Sequence, residues 1–240
     1  MNDPKAIVDS IVRQWTDWAN ETGMKKAVLG MSGGCDSYVA AKLATLVFGK
    51  ENVIGVMMPN QEQLDISDAQ NACKELGIVT ETVDIGDAYA SFVCQANVTE
   101  QSLVNLAPRL RMCVLYFIAQ SEENAHVITT SNLSERAVGY TTLWGDSVGD
   151  YAPLAGITKT NVRAIGLHLG LNPGLVNKTP SDGLSGSSDE QALGFSYEEL
   201  DNLLDRGIHG PNVQKINARI KAMRFKADLL MNIPHPVMEN

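Results

Sequence analysis

The run Ser32-Gly33-Gly34-Cys35-Asp36-Ser37 constrains this chain more than any other stretch. It follows the apolar residues Ala27-Val28-Leu29-Gly30-Met31 and precedes Tyr38-Val39-Ala40-Ala41-Lys42-Leu43-Ala44, whose pattern predicts a helix. Strand, glycine turn, helix is the setting in which backbone amides converge on a phosphate. Adjacent glycines let the main chain approach an anion closely. The helix N-terminus adds unsatisfied N–H groups and the positive end of its dipole, and Ser32 and Ser37 flank the turn as further donors. A Walker A loop would carry Gly-Lys-Ser/Thr here, its lysine on the outer phosphates; this chain carries Cys35-Asp36 instead. A carboxylate beside a phosphate nest makes sense if it holds Mg²⁺. The pattern points to a nucleotide whose pyrophosphate is gripped as a leaving unit, rather than one that passes on its γ-phosphate.

The loop sits in a chain of 240 residues, 44% of them hydrophobic, enough for one domain with a full core. A formal net charge of -9 argues against a sequence-independent grip on nucleic acid, which needs clustered Lys and Arg. The four cysteines, Cys35, Cys73, Cys94 and Cys113, form no CxxC pair and are expected as small hydrophobes rather than metal ligands. The first residues lack a basic segment followed by an apolar core, and no uninterrupted apolar stretch approaches the ~20 residues of a membrane span. The expectation is a soluble cytoplasmic protein with no nucleic-acid and no membrane partner.

Apolar spacing predicts a helix over 6–20 with Trp15 and Trp18 in its buried stripe, then a strand over 27–31 and a helix over 36–48. A strand over 53–58, a helix over 65–76, a strand over 78–85, a long helical pattern over 103–120 interrupted only by Pro108, and a strand over 126–130 follow. Strands alternating with helices predict an α/β fold, a doubly wound, mostly parallel sheet with helices on both faces. Ligands of such sheets bind at the carboxyl ends of the strands near a switch in strand order; the 32–37 loop and the segment after Thr130 both lie at such ends. Residues 134–159 and 177–191 turn polar, as stretches built for ligand contact do. A single domain over 1–240 is expected, with a core over about 24–195 and a small helical C-terminal part over about 196–240.

Several chemistry-bearing elements follow the loop in order. Thr130-Ser131-Asn132-Leu133-Ser134-Glu135 comes after the fourth strand, then Gly139-Tyr140-Thr141-Thr142-Leu143-Trp144-Gly145-Asp146, Gly149-Asp150, Lys159 and Lys178-Thr179-Pro180-Ser181. Arg109-Leu110-Arg111-Met112 precedes them, and Asp189-Glu190-Gln191-Ala192-Leu193-Gly194-Phe195-Ser196-Tyr197-Glu198-Glu199-Leu200-Asp201 closes the series. Taken singly, most have plain readings: Gly-Asp pairs are usually turns, Glu135 is a helix-start carboxylate, and Lys159, Lys178, Arg109 and Arg111 are surface charges. The four histidines are scattered and carry no assigned role. The glycine loop alone says only ATP pyrophosphatase. The composite, in this order from about residue 27 to about 205, resembles ammonia-dependent NAD synthetase.

The resemblance implies a two-step amidation. The carboxylate of deamido-NAD attacks the α-phosphorus of ATP, pyrophosphate leaves, and ammonia attacks the acyl adenylate to give NAD and AMP. Residue by residue, Gly30, Met31, Ser32, Gly33, Gly34, Cys35, Asp36 and Ser37 match the family's ATP loop. Asp36 and Glu135 match its Mg²⁺ ligands. Thr130, Lys159 and Ser181 match positions that contact ATP, and Arg109 and Asp150 match contacts to deamido-NAD. Asp146, linked to the ammonia site, and Lys159 are the expected catalytic pair. Lys226 is the counterpart of a family His-Lys pair that reads Phe225-Lys226 here, and Leu143 stands where the family often has a substrate-contacting lysine. Family members form homodimers with the acceptor site at the interface, so a homodimer is expected. The 240 residues are too few to include the amidase domain of glutamine-using relatives, so free ammonia or a separate ammonia supplier is expected. Two alternatives remain: another ATP pyrophosphatase that adenylates a different carboxylate or a tRNA base, and a non-catalytic nucleotide-binding protein of the same fold.

Overall fold

The computed structural model describes residues 3–61, 66–94, 97–179, 188–230 and 232–238. Helix α1 (Pro4–Thr22) starts at Asp3, whose carboxylate accepts the Lys5 N–H, and stops at Gly23 in the left-handed region. Strand β1 (Lys26–Gly30) feeds the glycine loop and α2 (Cys35–Phe48). Strand β2 (Val53–Met57), α3 (Ile66–Leu76), β3 (Val79–Thr82), α4 (Gly86–Val93), α5 (Glu100–Ser121) and β4 (Ala125–Val127) complete the alternation. The strands are all parallel, in the order β3-β2-β1-β4. The order therefore reverses between β1 and β4, and the switch point lies beside the glycine loop.

Alternation along the strands divides the core. Ala27 and Leu29 of β1 and Val53 and Met57 of β2 join α1, α2 and α3 in one cluster. Val28, Ile54, Val56 and Val127 point the other way, against Met112, Leu115 and Ile118 of α5. The two clusters on opposite faces are the doubly wound arrangement expected. Trp15 is fully buried and stacks on Tyr151, with ring centroids 5.0 Å apart; Trp18 meets the same ring at 4.8 Å.

The second half is more helical than its polar texture suggested. It holds α6 (Leu133–Ala137), α7 (Lys159–His168), α8 (Pro173–Val176), α9 (Asp189–Leu193), α10 (Tyr197–Arg206) and α11 (Val213–Leu230). Local capping explains the short ones: Asn132, Ser188 and Ser196 each accept from the third residue onward, and that residue's side chain reaches back. A third cluster of Val138, Leu193, Phe195, Tyr197, Leu200 and Ile216 seats α10 and α11 against α6.

Helix α5 runs straight through Pro108 rather than breaking there. A mid-helix proline removes one backbone bond, and here its ring packs a loop: a Cβ on Gly145 would lie 2.9 Å from the Pro108 Cβ. By length and apolarity α5 would also pass for a membrane span, with a mean hydropathy of 1.3 over its most apolar window. It is instead a sheet-covering helix, with Ala107, Met112, Leu115, Ile118 and Ala119 buried.

Candidate active site

The carboxyl ends of β1 and β4 open onto one site. Gly33 takes φ of 77°, a left-handed conformation that a side chain would strain, and Gly34 leads into α2 with no side-chain cap on the helix. The first-turn amides of α2 are thus left for an incoming anion. The loop is braced from within. Ser32 Oγ accepts the Gly34 N–H at 3.2 Å and lies 3.2 Å from Ser37 Oγ, which donates to the Gly34 carbonyl at 3.1 Å. Gly30 and Met31 form its root, Met31 donating to the Val56 carbonyl at 2.8 Å. Cys35 is buried in the core, and that burial pushes its thiol up to about 12. It is a packing residue and not a nucleophile.

Asp36 stands on the first turn of α2, and Glu135 on the first turn of α6, almost a hundred residues later. Lys159, the first residue of α7, joins them. Its ammonium, on a side chain only 3% exposed, donates to Asp36 Oδ2 and, at 3.2 Å, to Glu135 Oε1. It also lies 5.4 Å from the centre of the Tyr197 ring. Burial raises the Glu135 carboxyl above the usual range; Lys159 opposes the shift and Asp36 adds to it. On Lys159 burial opposes charge, but the two carboxylates outweigh it and raise its pKa, so it stays an ammonium. The hydroxyl of Tyr197 is pushed far up, by burial and then by Glu135, Asp189 and Asp36.

Two residues that sequence reasoning passed over hold this group together. Asn132 donates its side-chain amide to Asp36 Oδ1 at 2.9 Å and its backbone N–H to Glu135 Oε2 at 3.4 Å, while its Oδ1 accepts the Glu135 N–H at 3.0 Å, so one residue ties both carboxylates. The signal was present as the Asn-x-x-Glu spacing of a capping box. Asp201, buried at 2% exposure, accepts the Thr160 N–H at 2.7 Å and the Ser134 hydroxyl; Ser134 in turn accepts the Lys159 N–H at 2.9 Å. The closing motif at 189–201 therefore aims α7, and with it Lys159, through Tyr197 and Asp201.

Asp146 lies on the other side of the β4 end. The hydroxyls of Thr129 and Ser131 both donate to its carbonyl, at 2.9 and 3.2 Å, tying the 139–146 loop to the strand. Its Oδ1 accepts the Thr142 N–H at 2.7 Å. Trp144, beside it, holds a φ of 61° and is exposed. Asp146 is open to solvent, yet the surrounding protein raises its carboxyl above the usual range, opposed by the Thr142 amide and by Lys226 and Arg111. The cations gather here through backbone carbonyls: Arg109 Nε donates to Leu143 at 3.2 Å, Arg111 Nε to Met58 at 3.0 Å, and Lys226 Nζ to Gly139 and Thr141 at 3.1 and 2.8 Å.

Thr130 directly follows the Thr129 tether, half-buried at the strand end. Asp150 is turned toward β4: its Oδ2 accepts the Val127 N–H at 2.9 Å and its Oδ1 accepts the Tyr116 hydroxyl at 3.0 Å, with His126 Nδ1 at 3.5 Å. Both its oxygens are engaged by the chain itself. Ser181 lies outside the described residues; Lys178, just before it, pairs with Asp68 at 2.7 Å.

Asp36 and Glu135 are hard oxygen donors facing one position. Among the described residues no third His, Cys, Asp or Glu joins them. Two carboxylates fit Mg²⁺, whose remaining positions are ordinarily taken by water and substrate phosphates.

The sequence matches the family model described as NAD synthase over residues 7–235. It is 41% identical to the NH(3)-dependent NAD(+) synthetase of Thermococcus kodakarensis, covering 85% of this chain and 81% of that protein. The fold matches the NMN synthetase of Francisella tularensis with a TM-score of 0.87 and 32% identity, covering 95% of this chain and 97% of that one. It matches the NH3-dependent NAD synthetase of Campylobacter jejuni with a TM-score of 0.77 and 27% identity, both chains being covered in full. With this match across nearly its whole length, the chain belongs to the NAD synthase family.

Proposed function

We propose that this chain is an ammonia-dependent ligase that adenylates the carboxylate of deamido-NAD with ATP and amidates it to NAD. The observation that carries this reading is the convergence of the uncapped α2 N-terminus, Asp36, Glu135 and Lys159 on one side of the β1–β4 cleft, with Asp146 and its cations on the other. A carboxylate is a poor acylating agent because hydroxide is a poor leaving group; adenylation supplies a good one. An acceptor oxygen attacks the α-phosphorus, the bond to pyrophosphate breaks, and ammonia then displaces AMP from the carbonyl. The glycine loop and the α2 amides bind the departing pyrophosphate. Lys159 offsets charge that builds on the phosphates. Asp36 and Glu135 would hold Mg²⁺, which supplies Lewis-acid polarisation of phosphoryl oxygens. Asp146, when ionised, can hold ammonium and take a proton as the C–N bond forms. Arg109 and Lys226 would meet the acceptor's phosphates, Thr130 and Ser181 the ATP. Asp150, whose oxygens are taken by Val127 and Tyr116, would serve the acceptor site by holding the Tyr116 hydroxyl.

The further features of this reading are a homodimer and a cytoplasmic location. On α4 and α5, Phe92 and Phe117 are 57% and 73% exposed, with Val98 and Val104 beside them. Phe92 and Val98 line a groove of about 240 Å³ whose wall includes Arg109. Apolar surface continuous with an acceptor-binding cation supports a second copy seated there.

A second reading changes only the acceptor. The high TM-score to an NMN synthetase, together with Leu143 where the family often has lysine, favours nicotinate mononucleotide, which asks for one fewer phosphate contact. Incubation with Mg-ATP, ammonium and each acceptor separates the two. The first reading predicts NAD and AMP in equal amounts and a higher kcat/KM for deamido-NAD. A higher kcat/KM for the mononucleotide would establish the second. AMP without either amide would point to another acceptor, and no turnover would leave a binding protein.

A further inference from the structure

We infer that Lys159 is a stand-in cation: without nucleotide its ammonium occupies the position between Asp36 and Glu135, so that a divalent ion enters only together with ATP. The inference rests on the reading of those two carboxylates as the metal's ligands and adds an order of events to it.

The geometry is specific. Asp36 and Glu135 have side chains 16% and 15% exposed, and two carboxylates so placed need a positive charge between them. Lys159 supplies it, reaching both with one ammonium. It is fixed at the first position of α7 by Ser134 and is flanked by the Tyr197 ring, while Asn132 holds Asp36 through its side chain and the Glu135 carboxylate through its backbone N–H. The two carboxylates thus already share one cation and are already hydrogen-bonded. A divalent ion arriving alone would have to expel a buried ammonium that has nowhere better to go. ATP changes this. Its phosphates dock on the α2 amides, whose first turn carries Asp36 itself, and offer Lys159 a second anion within reach of the first. Lys159 can then swing to the phosphates as the metal takes the carboxylates. No bond is made or broken; two cations exchange places as two anions become three.

Linkage makes the inference quantitative, because nucleotide and metal must raise each other's affinity by the same factor. Mn²⁺ is the probe, followed by water-proton relaxation and calorimetry on the full chain, with and without α,β-methylene-ATP. Expected is a gain in protein-bound Mn²⁺ affinity of about tenfold or more with the analogue. Lys159→Met, its fold checked by circular dichroism, should bind Mn²⁺ without nucleotide about tenfold or more tighter than the wild type. Equal Mn²⁺ affinity with and without the analogue overturns the exchange and leaves the metal ligands standing. A wild-type complex with the analogue that binds no Mn²⁺, or binding unchanged by Glu135→Gln, overturns the ligand assignment and the exchange with it. If Lys159→Met fails to fold, Lys159→Gln takes its place, and Mn²⁺ affinity no tighter than the wild type's in the folded variant overturns the exchange.

Discussion

At the scale of single residues, Asp146 and Asp36 divide the chemistry. If Asp146 serves the ammonia step, Asp146→Asn should spare adenylation, read as acceptor-dependent exchange of pyrophosphate into ATP, and slow amide formation by about 10²–10⁴-fold. Asp36→Ala should do the reverse, cutting adenylation by about 10²–10³-fold or more with the fold intact by circular dichroism. The pH response follows from the sign of the shift. The Asp146 carboxyl lies above its ordinary value, so it keeps its proton to higher pH than a free aspartate and the base is lost as pH falls through that raised value. The acidic limb of kcat at saturating ammonia should therefore sit above pH 3.8, and Lys226→Met, which removes a cation that favours the charged form, should move it higher still. Cys35 offers a simpler check. With its thiol pushed up to about 12 it should resist a disulfide reagent at pH 8 in the folded protein, while exposed Cys94 and Cys113 react. What the sequence disclosed at this scale was residue type and order; it did not disclose partners. Glu135 reads as an ordinary helix-start carboxylate, and it is one, closing a capping box on Asn132. Its second duty beside Asp36 depends on a contact between β1 and β4 that no local pattern encodes.

At the scale of elements, α7 shows how a helix is aimed. Its N-terminus has no cap of its own from Thr158; the cap comes from Asp201 on α10 and from Ser134 on α6. Asp201→Ala should cost about 2 kcal/mol in urea unfolding and raise the KM for ATP, because Lys159 loses its heading, whereas Asp201→Asn should recover much of both. The strands and long helices of the first half were legible because burial imposes a period on them: β1 and β2 are apolar runs between turns, α1 carries its stripe at helical spacing. The short helices α6, α8 and α9 were not, since each is a turn or two held by caps and tertiary contact rather than by a face. Helix α4 and the passage of α5 through Pro108 were hidden for a related reason. The proline's cost is met by packing against Gly145, a partner outside any local window.

At the scale of the whole molecule, the proposed homodimer would cover exposed apolar residues of α4 and α5, Phe92 and Phe117. Phe117→Glu should shift a species of twice the 26.0 kDa chain mass toward monomer in light scattering, and with it weaken acceptor binding more than ATP binding. The architecture explains why. In the proposed reading the ATP half lies at the β1–β4 switch point inside one chain, while the cations Arg109, Arg111 and Lys226 gather near Asp146. The central claim, though, concerns which bond of ATP breaks and what breaks it. Deamido-NAD labelled with ¹⁸O in both carboxylate oxygens tests it most directly. The account predicts one ¹⁸O in the phosphate of AMP and one left in the amide of NAD. AMP free of label, or formation of ADP in its place, would contradict it.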